Sequence, residues 1–352
     1  MTAGWAFEVL RDDLTRTATV HVDVPEPADG EAVLRVDRVG LSANNVTYAV
    51  FGEAMRYWEL FPASPRFGRV PLWGFADVVA SRTPGVEVGQ RLYGYLPTAS
   101  HLLVRPDRVD NAGFRDSSKH RASLPGVYNT YTLTSGDLLY EAEREDLQVL
   151  FRPLFSTSFL LADQVREQPA EVVALSSASS KTAYGTAYLL RGGDAEVVGL
   201  TSAGNIGFTR SLGCYDRVLT YDEAAELAVV PTAYVDLSGS TSLRRALHQH
   251  LTDELVADLV VGATHNDPTP SGELPGAPPS FFFAPARVKS RAAEWGRDEL
   301  DRRLAAAWHD FAAAASAWVD ISVSPGPDAL RDVWLEVQGG RSSPRTGHVL
   351  VF

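Results

Sequence analysis

Hydrophobic and polar positions alternate with a period of two through the first third of the chain. Thr17 to Val24 and Ala32 to Val39 alternate in this way, and each run is closed by turn residues, Pro25 to Gly30 and then Gly40. A strand turns successive side chains to opposite faces, so these runs predict half-buried strands. Asp77 to Ser81, Gln90 to Tyr95 and His101 to Val104 continue the pattern in short segments separated by Gly and Pro. Together they predict a β domain with irregular loops.

Asn111 to Gln148 breaks the pattern. It is long, polar and rich in Ser, Tyr and Asn, with an acidic run at Glu141 to Asp146. Such a segment either lines a site or is a mobile surface excursion, and the sequence leaves both open. From Leu161 the order becomes strand, helix, strand, helix. Glu171 to Ser176, Glu196 to Leu200, Arg217 to Thr220, Ala233 to Asp236 and Leu255 to Val261 are short apolar runs of the buried parallel kind. Thr182 to Leu190, Ile206 to Leu212 and Ser242 to Leu251 carry helical patterns between them. That alternation predicts a doubly wound parallel sheet. A Pro/Gly loop from Asn266 to Pro279 and a helix from about Arg287 to Ala317 follow. The tail reads as strand, helix (Pro327 to Gln338) and strand (Gly347 to Val351), returning to the first domain.

Composition narrows the class of protein. With 352 residues, 45% hydrophobic and 22% charged, the chain is long enough for two ordinary globular domains. No run reaches the roughly 18–20 apolar residues of a membrane helix, and Met1 to Asp13 carries charges where a secretory leader needs an apolar run. A cytoplasmic protein is expected. The single cysteine, Cys214, leaves no intrachain disulfide and no multi-cysteine zinc site. The net charge of -12, with no basic block, argues against nucleic acid as a partner.

Four segments resemble one superfamily, in the same order along the chain. Val39 to Asn45 (V-G-L-S-A-N-N) is similar to the V-G-L-N-x-x-D active-site loop of medium-chain dehydrogenases/reductases, in their zinc-independent quinone oxidoreductase and enoyl reductase branch. Gly89 to Tyr95 resembles the G-D-R-V-x-G strand. Arg210 to Cys214, with Val218 and Tyr221, resembles K-x-L-G-A-D-x-V-I-N-Y, and Gly340 to Phe352 resembles the closing G-R-x-x-G-K-V-V-L strand. The turn after the first parallel strand departs from the pattern: Ser176 to Thr182 (S-S-A-S-S-K-T) has no glycine, and none follows until Gly185. This serine-rich form is similar to a divergent branch of unknown function. The resemblance implies an α/β protein, with a Rossmann-type doubly wound domain over residues 156–316. That domain is inserted into a mainly β GroES-like domain made of 1–155, which includes the loop 111–148, and the return segment 317–352.

The serine-rich turn is the expected nucleotide site. A strand running into a helix start offers free N–H groups and partial positive charge to a phosphate. Ser177, Ser179, Ser180 and Thr182 add hydroxyls there, and Lys181 adds a charge. The alternative is a capped helix start with no ligand. The second parallel strand ends in Gly199 to Asn205, where Thr201, Ser202 and Asn205 offer hydrogen bonds and no carboxylate is present. NAD-selective enzymes place an acid there for the ribose 2′-hydroxyl, so NADP(H) is expected. Lys181 and Tyr221 are the expected partners of its 2′-phosphate, with Tyr221 matching a tyrosine of NADP-dependent relatives. Ser238 and Gly239 after the fourth strand, and Gly262 after the fifth, should bracket the nicotinamide, unless these glycines are plain turn residues.

Metal catalysis is not expected. The loop after Gly40 holds Ser42, Asn44, Asn45 and Thr47 where a zinc alcohol dehydrogenase needs Cys or His, and the eight histidines show no ligand spacing. Without metal, a side chain must polarise or protonate the acceptor. Asn45, Tyr48 and Arg152 are the candidates. Their structural alternatives are a turn asparagine, a core tyrosine and a surface ion pair. Phe281 to Phe283 mark core or an interface, and the superfamily pairs subunits at this sheet edge, so a homodimer is expected. Lys289 and Arg291 nearby are candidates to meet a phosphate-bearing thioester.

The expected function is a zinc-independent NADP(H)-dependent reductase. Hydride would pass to an α,β-unsaturated carbonyl, a quinone or an acyl thioester, a small-molecule or thioester substrate. Two rivals remain: an NADPH-binding regulatory protein without hydride chemistry, and a non-redox lyase or isomerase on the same scaffold.

Overall fold

A computed structural model describes residues 3–261 and 274–352. The chain divides into two compact units, Met1–Arg152 with Val319–Phe352, and Pro153–Trp318.

The first unit is built mainly of strands. β1 (Ala3–Leu10) pairs antiparallel with β2 (Asp13–Asp23). The sequence reading missed β1 because a charge interrupts its apolar run. That charge, Glu8, is fully buried and accepts from Arg69 Nε and Nη2 at 3.2 and 3.1 Å, so it is paired rather than solvated. β3 (Ala32–Leu41) leads into α1 (Ala43–Val50), the segment read as an active-site loop. There follow β4 (Phe67–Gly68), β5 (Pro71–Ser81), β6 (Arg91–Pro97), β7 (His101–Val104), β8 (Pro106–Asp110), β9 (Gly113–Asp116) and β10 (Thr130–Leu133).

The polar segment 111–148 is not a surface excursion. β9 and β10 pair antiparallel, and β10 joins β6 in the main sheet. Between them the fully buried Arg121 donates to Asp116 Oδ2 at 2.9 Å, Asn129 Oδ1 at 3.0 Å and the Tyr131 hydroxyl at 2.9 Å. The segment is polar because its core is a satisfied polar network.

α2 (Glu145–Val165) also escaped the sequence reading, since Pro153 lies inside it. A helix-interior proline leaves the carbonyl four residues back without its N–H donor. That carbonyl is Val149, and a Cβ at Gly40 would lie 2.3 Å from its oxygen. Glycine at 40 is therefore set by close backbone approach.

The second unit is the parallel sheet. β11 (Val172–Leu175), α3 (Lys181–Leu190), β12 (Glu196–Thr201), α4 (Ile206–Ser211), β13 (Arg217–Thr220), β14 (Thr232–Asp236), α5 (Thr241–Leu251), β15 (Leu255–Val260) and β16 (Pro279–Phe281) alternate along the chain. Every pairing is parallel, in the order β13-β12-β11-β14-β15-β16. The order reverses between β11 and β14, which is the switch point where such sheets bind ligands. The long helix expected to Ala317 is two helices, α6 (Ala284–Trp295) and α7 (Arg297–Ala315), broken at Gly296 with φ +87°.

β17 (Asp320–Pro325), α8 (Gly326–Gln338) and β18 (Thr346–Val351) then rejoin the first unit. β18 pairs antiparallel with β3 and parallel with β17. Buried Trp334 of α8 donates its indole N–H to Leu14 O at 2.8 Å, which fastens the return segment to β2. The α/β class, with one unit a doubly wound parallel sheet and the other mainly β, is the one expected from the sequence. Among the described residues, no helix is long and apolar enough to cross a membrane.

Candidate functional site

The turn after β11 rises into a left-handed residue. Ser177 has φ +52°, a conformation that usually selects glycine. Its N–H donates to the Tyr221 hydroxyl at 3.2 Å. Ala178 N–H donates to Leu200 O at 3.0 Å, and the Tyr215 hydroxyl donates to Ala178 O at 2.8 Å. Asn205 Nδ2 donates to Ser179 Oγ at 3.2 Å. Predicted residues from the ends of three strands, β11, β12 and β13, thus meet at the carboxyl edge of the sheet.

The remaining predicted nucleotide residues divide by what they already bind. Ser180 is the N-cap of α3, its hydroxyl accepting from Ala183 N–H at 3.4 Å, so the capped-helix alternative holds for this residue. The Thr182 carbonyl accepts from the Ser158 and Thr186 hydroxyls, each at 2.8 Å. Burial pushes the Lys181 amine down to about 8. Thr201 Oγ1 is buried with no hydrogen-bond partner among the described residues. Ser202 is exposed, and its carbonyl accepts from Asn205 N–H at 2.9 Å. Ser238 and Gly239 turn their N–H groups inward to Asp236 Oδ1, at 3.0 and 2.9 Å. Gly262 lies outside the described residues.

In the β unit, α1 brings Tyr48 into an aromatic cluster. Its ring centroid lies 4.8 Å from Tyr57 and 5.8 Å from Tyr95, and Tyr95 stacks on Tyr128 at 4.8 Å. The Tyr48 oxygen accepts from Asn44 Nδ2 at 2.7 Å, which leaves its own proton to donate. Burial pushes this phenol up to about 12, with hydrogen bonds from Trp73 and Asn44 acting downward, so it stays protonated at neutral pH. Sequence reasoning missed Asn44 in this role. The available signal was its i, i+4 spacing to Tyr48, which becomes meaningful once the segment is a helix.

The other two catalytic candidates are engaged in the fold. Asn45 is 4% exposed; its Oδ1 accepts from Ser42 N–H at 2.8 Å in a capping box, and its Nδ2 donates to Pro71 O at 3.1 Å. Arg152 pairs with Asp137 and lies 4.1 Å over the Tyr93 ring.

Several further expectations meet specific contacts. Arg291 is held by Asp163 at 2.7 Å, and also by Glu167 and Glu294, so it is not waiting for a phosphate. Of the phenylalanine run, only Phe281 lies in a strand. Phe281 is 73% exposed at the sheet edge and Phe283 is 57% exposed, while Phe282 is buried. Cys214 is buried, which pushes its thiol up to about 12. Among the described residues, no group of three or more His, Cys, Asp and Glu is placed to hold a metal. A groove of about 780 Å³ on the β unit includes Arg69, His101 and Lys119 but none of the predicted site residues.

Comparison with known proteins bears on this geometry. Residues 39–343 match the model of a family described as protein of unknown function (DUF2855). No curated protein matches the sequence. Among solved structures, the chain is similar to CurA from Vibrio vulnificus, with 15% identity, a TM-score of 0.62, and coverage of 99% of this chain and 98% of that one. The complex of CurA with NADPH matches at 13% identity and a TM-score of 0.62, over 95% and 94%. The Etr1p/NADP/crotonyl-CoA complex matches at 10% identity and a TM-score of 0.59, over the full length of both chains. At these identities the likeness establishes the fold.

Proposed function

This chain belongs to the DUF2855 family, and on that scaffold we propose that it is a zinc-independent, NADP(H)-dependent reductase. It would deliver hydride to an α,β-unsaturated carbonyl, a quinone or an acyl thioester. The carrying observation is the convergence of Ser177, Ser179, Asn205 and Tyr221 at the end of the parallel sheet, where β12 closes without a carboxylate. The chemistry of that set suits a phosphate-bearing nucleotide. Thr201 Oγ1 is a buried oxygen lacking a partner among the described residues, the Tyr221 hydroxyl retains a proton to donate, and Lys181 is a desolvated amine whose charge an anion would stabilise. The CurA–NADPH and Etr1p/NADP/crotonyl-CoA structures, similar in fold, support this choice of cofactor and an acyl thioester among the acceptors.

When bound, the nicotinamide supplies the hydride. Ser179, Asn205 and Thr201 would orient the nucleotide, with Lys181 and Tyr221 at its phosphates. Tyr48, its oxygen held by Asn44, or water would donate the proton to the acceptor. The protein is proposed to work in the cytoplasm as a homodimer joined along β16, the sheet edge at which Phe281 and Phe283 are exposed.

Titration of the purified protein with NADPH and NADH, read by nucleotide fluorescence, tests the proposal. Binding of NADPH in preference to NADH is expected, and binding of neither would overturn it. A second reading, a nucleotide-binding regulator without hydride transfer, draws on the structural engagement of Asn45 and Arg152. NADPH consumption in a screen of enones, quinones and acyl thioesters decides between the two.

A further inference from the structure

The backbone ladder pairs β11 with β14 as far as Ser176 N–H to Val235 O at 3.1 Å, and beyond it one buried hydroxyl joins the turns that follow the two strands. Ser176 Oγ donates to Asp236 Oδ1 at 2.9 Å and accepts from Leu237 N–H and Ser238 N–H at 3.0 and 3.1 Å. A serine hydroxyl has one donor and two acceptor positions, so all three are used. Asp236 Oδ1 also receives the Tyr234 and Ser238 hydroxyls at 3.1 and 2.9 Å, besides the N–H groups of Ser238 and Gly239. Both residues are completely buried.

The other oxygen of Asp236 is rooted in a second layer of charge. Oδ2 pairs with Arg244 of α5, whose Nε lies 2.9 Å from Asp258 Oδ2. That oxygen lies 3.0 Å from His248 Nε2, and His248 Nδ1 lies 2.6 Å from Pro275 O. Apolar residues of equal volume would fill this space at less desolvation cost. A linked polar set does something they do not: it fixes one backbone path for each loop it holds.

We propose that Ser176 and Asp236 are positioning residues that clamp the segments beyond the paired strand ends to one another, so that the turn at 177–182 and the loop at 237–239 meet a nucleotide already in their binding conformation. The proposal rests on the nucleotide reading above. Neither residue touches the ligand. The Ser238 and Gly239 amides serve the clamp, and the loop contributes its shape. A preformed site avoids the ordering cost that a flexible loop would bear on binding.

The test compares Ser176→Ala with Asp258→Asn, which disturbs the same buried charges but not the bridge between the loops. Three readouts are needed: NADPH affinity by fluorescence, thermal midpoint, and hydrogen exchange of the Leu237 and Ser238 amides without nucleotide. Ser176→Ala is expected to weaken NADPH binding about tenfold and speed exchange of those amides by at least about tenfold, as the loss of one buried bridge implies. Asp258→Asn should lower the thermal midpoint and leave affinity within about twofold. If Ser176→Ala does not fold, Ser176→Cys, which leaves only a weak donor at the same bridge, is read in the same way.

Affinity that merely tracks the thermal midpoint in both variants would overturn the positioning role. So would unchanged amide protection in Ser176→Ala. Wild-type protein that binds neither nucleotide, while the variant still loses protection, would overturn the nucleotide reading and the positioning role with it. The amide data would separate that outcome from failure of the clamp.

Discussion

Lys181 makes nucleotide affinity depend on pH in a direction that its burial fixes. Desolvation at the start of α3 holds its amine near 8, against an ordinary value of 10.5. A phosphate placed beside it favours the charged form and returns the amine toward that ordinary value, so binding takes up a proton wherever the free site has lost one. With those two limits, Lys181 makes the dissociation constant for NADPH about 70-fold higher at pH 10 than at pH 7, by the linkage between protonation and binding. The assay is a fluorescence titration at constant, low ionic strength from pH 7 to 10, with Lys181→Met alongside. The variant should bind more weakly at pH 7 and show no slope.

Stability of the nucleotide-free protein runs the other way. A depressed folded-state value means that Lys181 contributes stability above its unfolded value of 10.5, and this is lost as pH falls through about 8. As far as this group is concerned, the thermal midpoint rises across the window in which affinity falls, so weakened binding cannot be put down to unfolding. A flat wild-type profile, or an equal slope in Lys181→Met, would refute the placement of Lys181 at a phosphate.

Other expectations concern single atoms. Tyr48→Phe removes the proposed proton donor while keeping the ring among Tyr57 and Tyr95, so kcat on a reducible substrate should drop about 100-fold. NADPH affinity should be unaffected in that variant; an unchanged kcat would dismiss Tyr48 as the acid. Ser177→Gly relieves a left-handed serine, worth about 1–2 kcal/mol, against about 0.5–1 kcal/mol of added chain entropy. The net gain should lift the thermal midpoint by about 1–2 °C, and a fall would mean that the serine side chain contributes more than its backbone costs. Cys214, buried and with its thiol pushed up to about 12, should resist iodoacetamide at pH 8 in the native protein and react once unfolded; rapid native labelling would contradict its burial.

The parallel sheet was legible because its strands are short apolar runs at regular spacing, with buried partners on both sides. Val172–Leu175 and Thr232–Asp236 fall within a residue of where the pattern placed them. The misses share a cause: each carries a polar or helix-breaking residue that only tertiary contacts reconcile. β1 hides behind Glu8 until Arg69 pairs with it, and α2 hides behind Pro153. The segment around Arg121 reads as a loop until Asp116, Asn129 and Tyr131 are seen around it. In the candidate site, the residue types at the serine turn could be read from the sequence. Which atoms were already committed could not, since Ser238 and Gly239 answer to an aspartate whose other partners come from the end of β11 and from α5.

A fingerprint of glycines at fixed spacing is a proxy for torsion angles. Here a serine holds the left-handed angle, and a tyrosine 44 positions downstream captures its amide. That bond belongs to the backbone, so it constrains the turn without asking anything of the side chain at 177. A glycine at 177 would keep the same N–H and the same tyrosine partner, and would shed only the strain of a left-handed side chain. A search for glycines alone passes over a turn whose angle is held in this way.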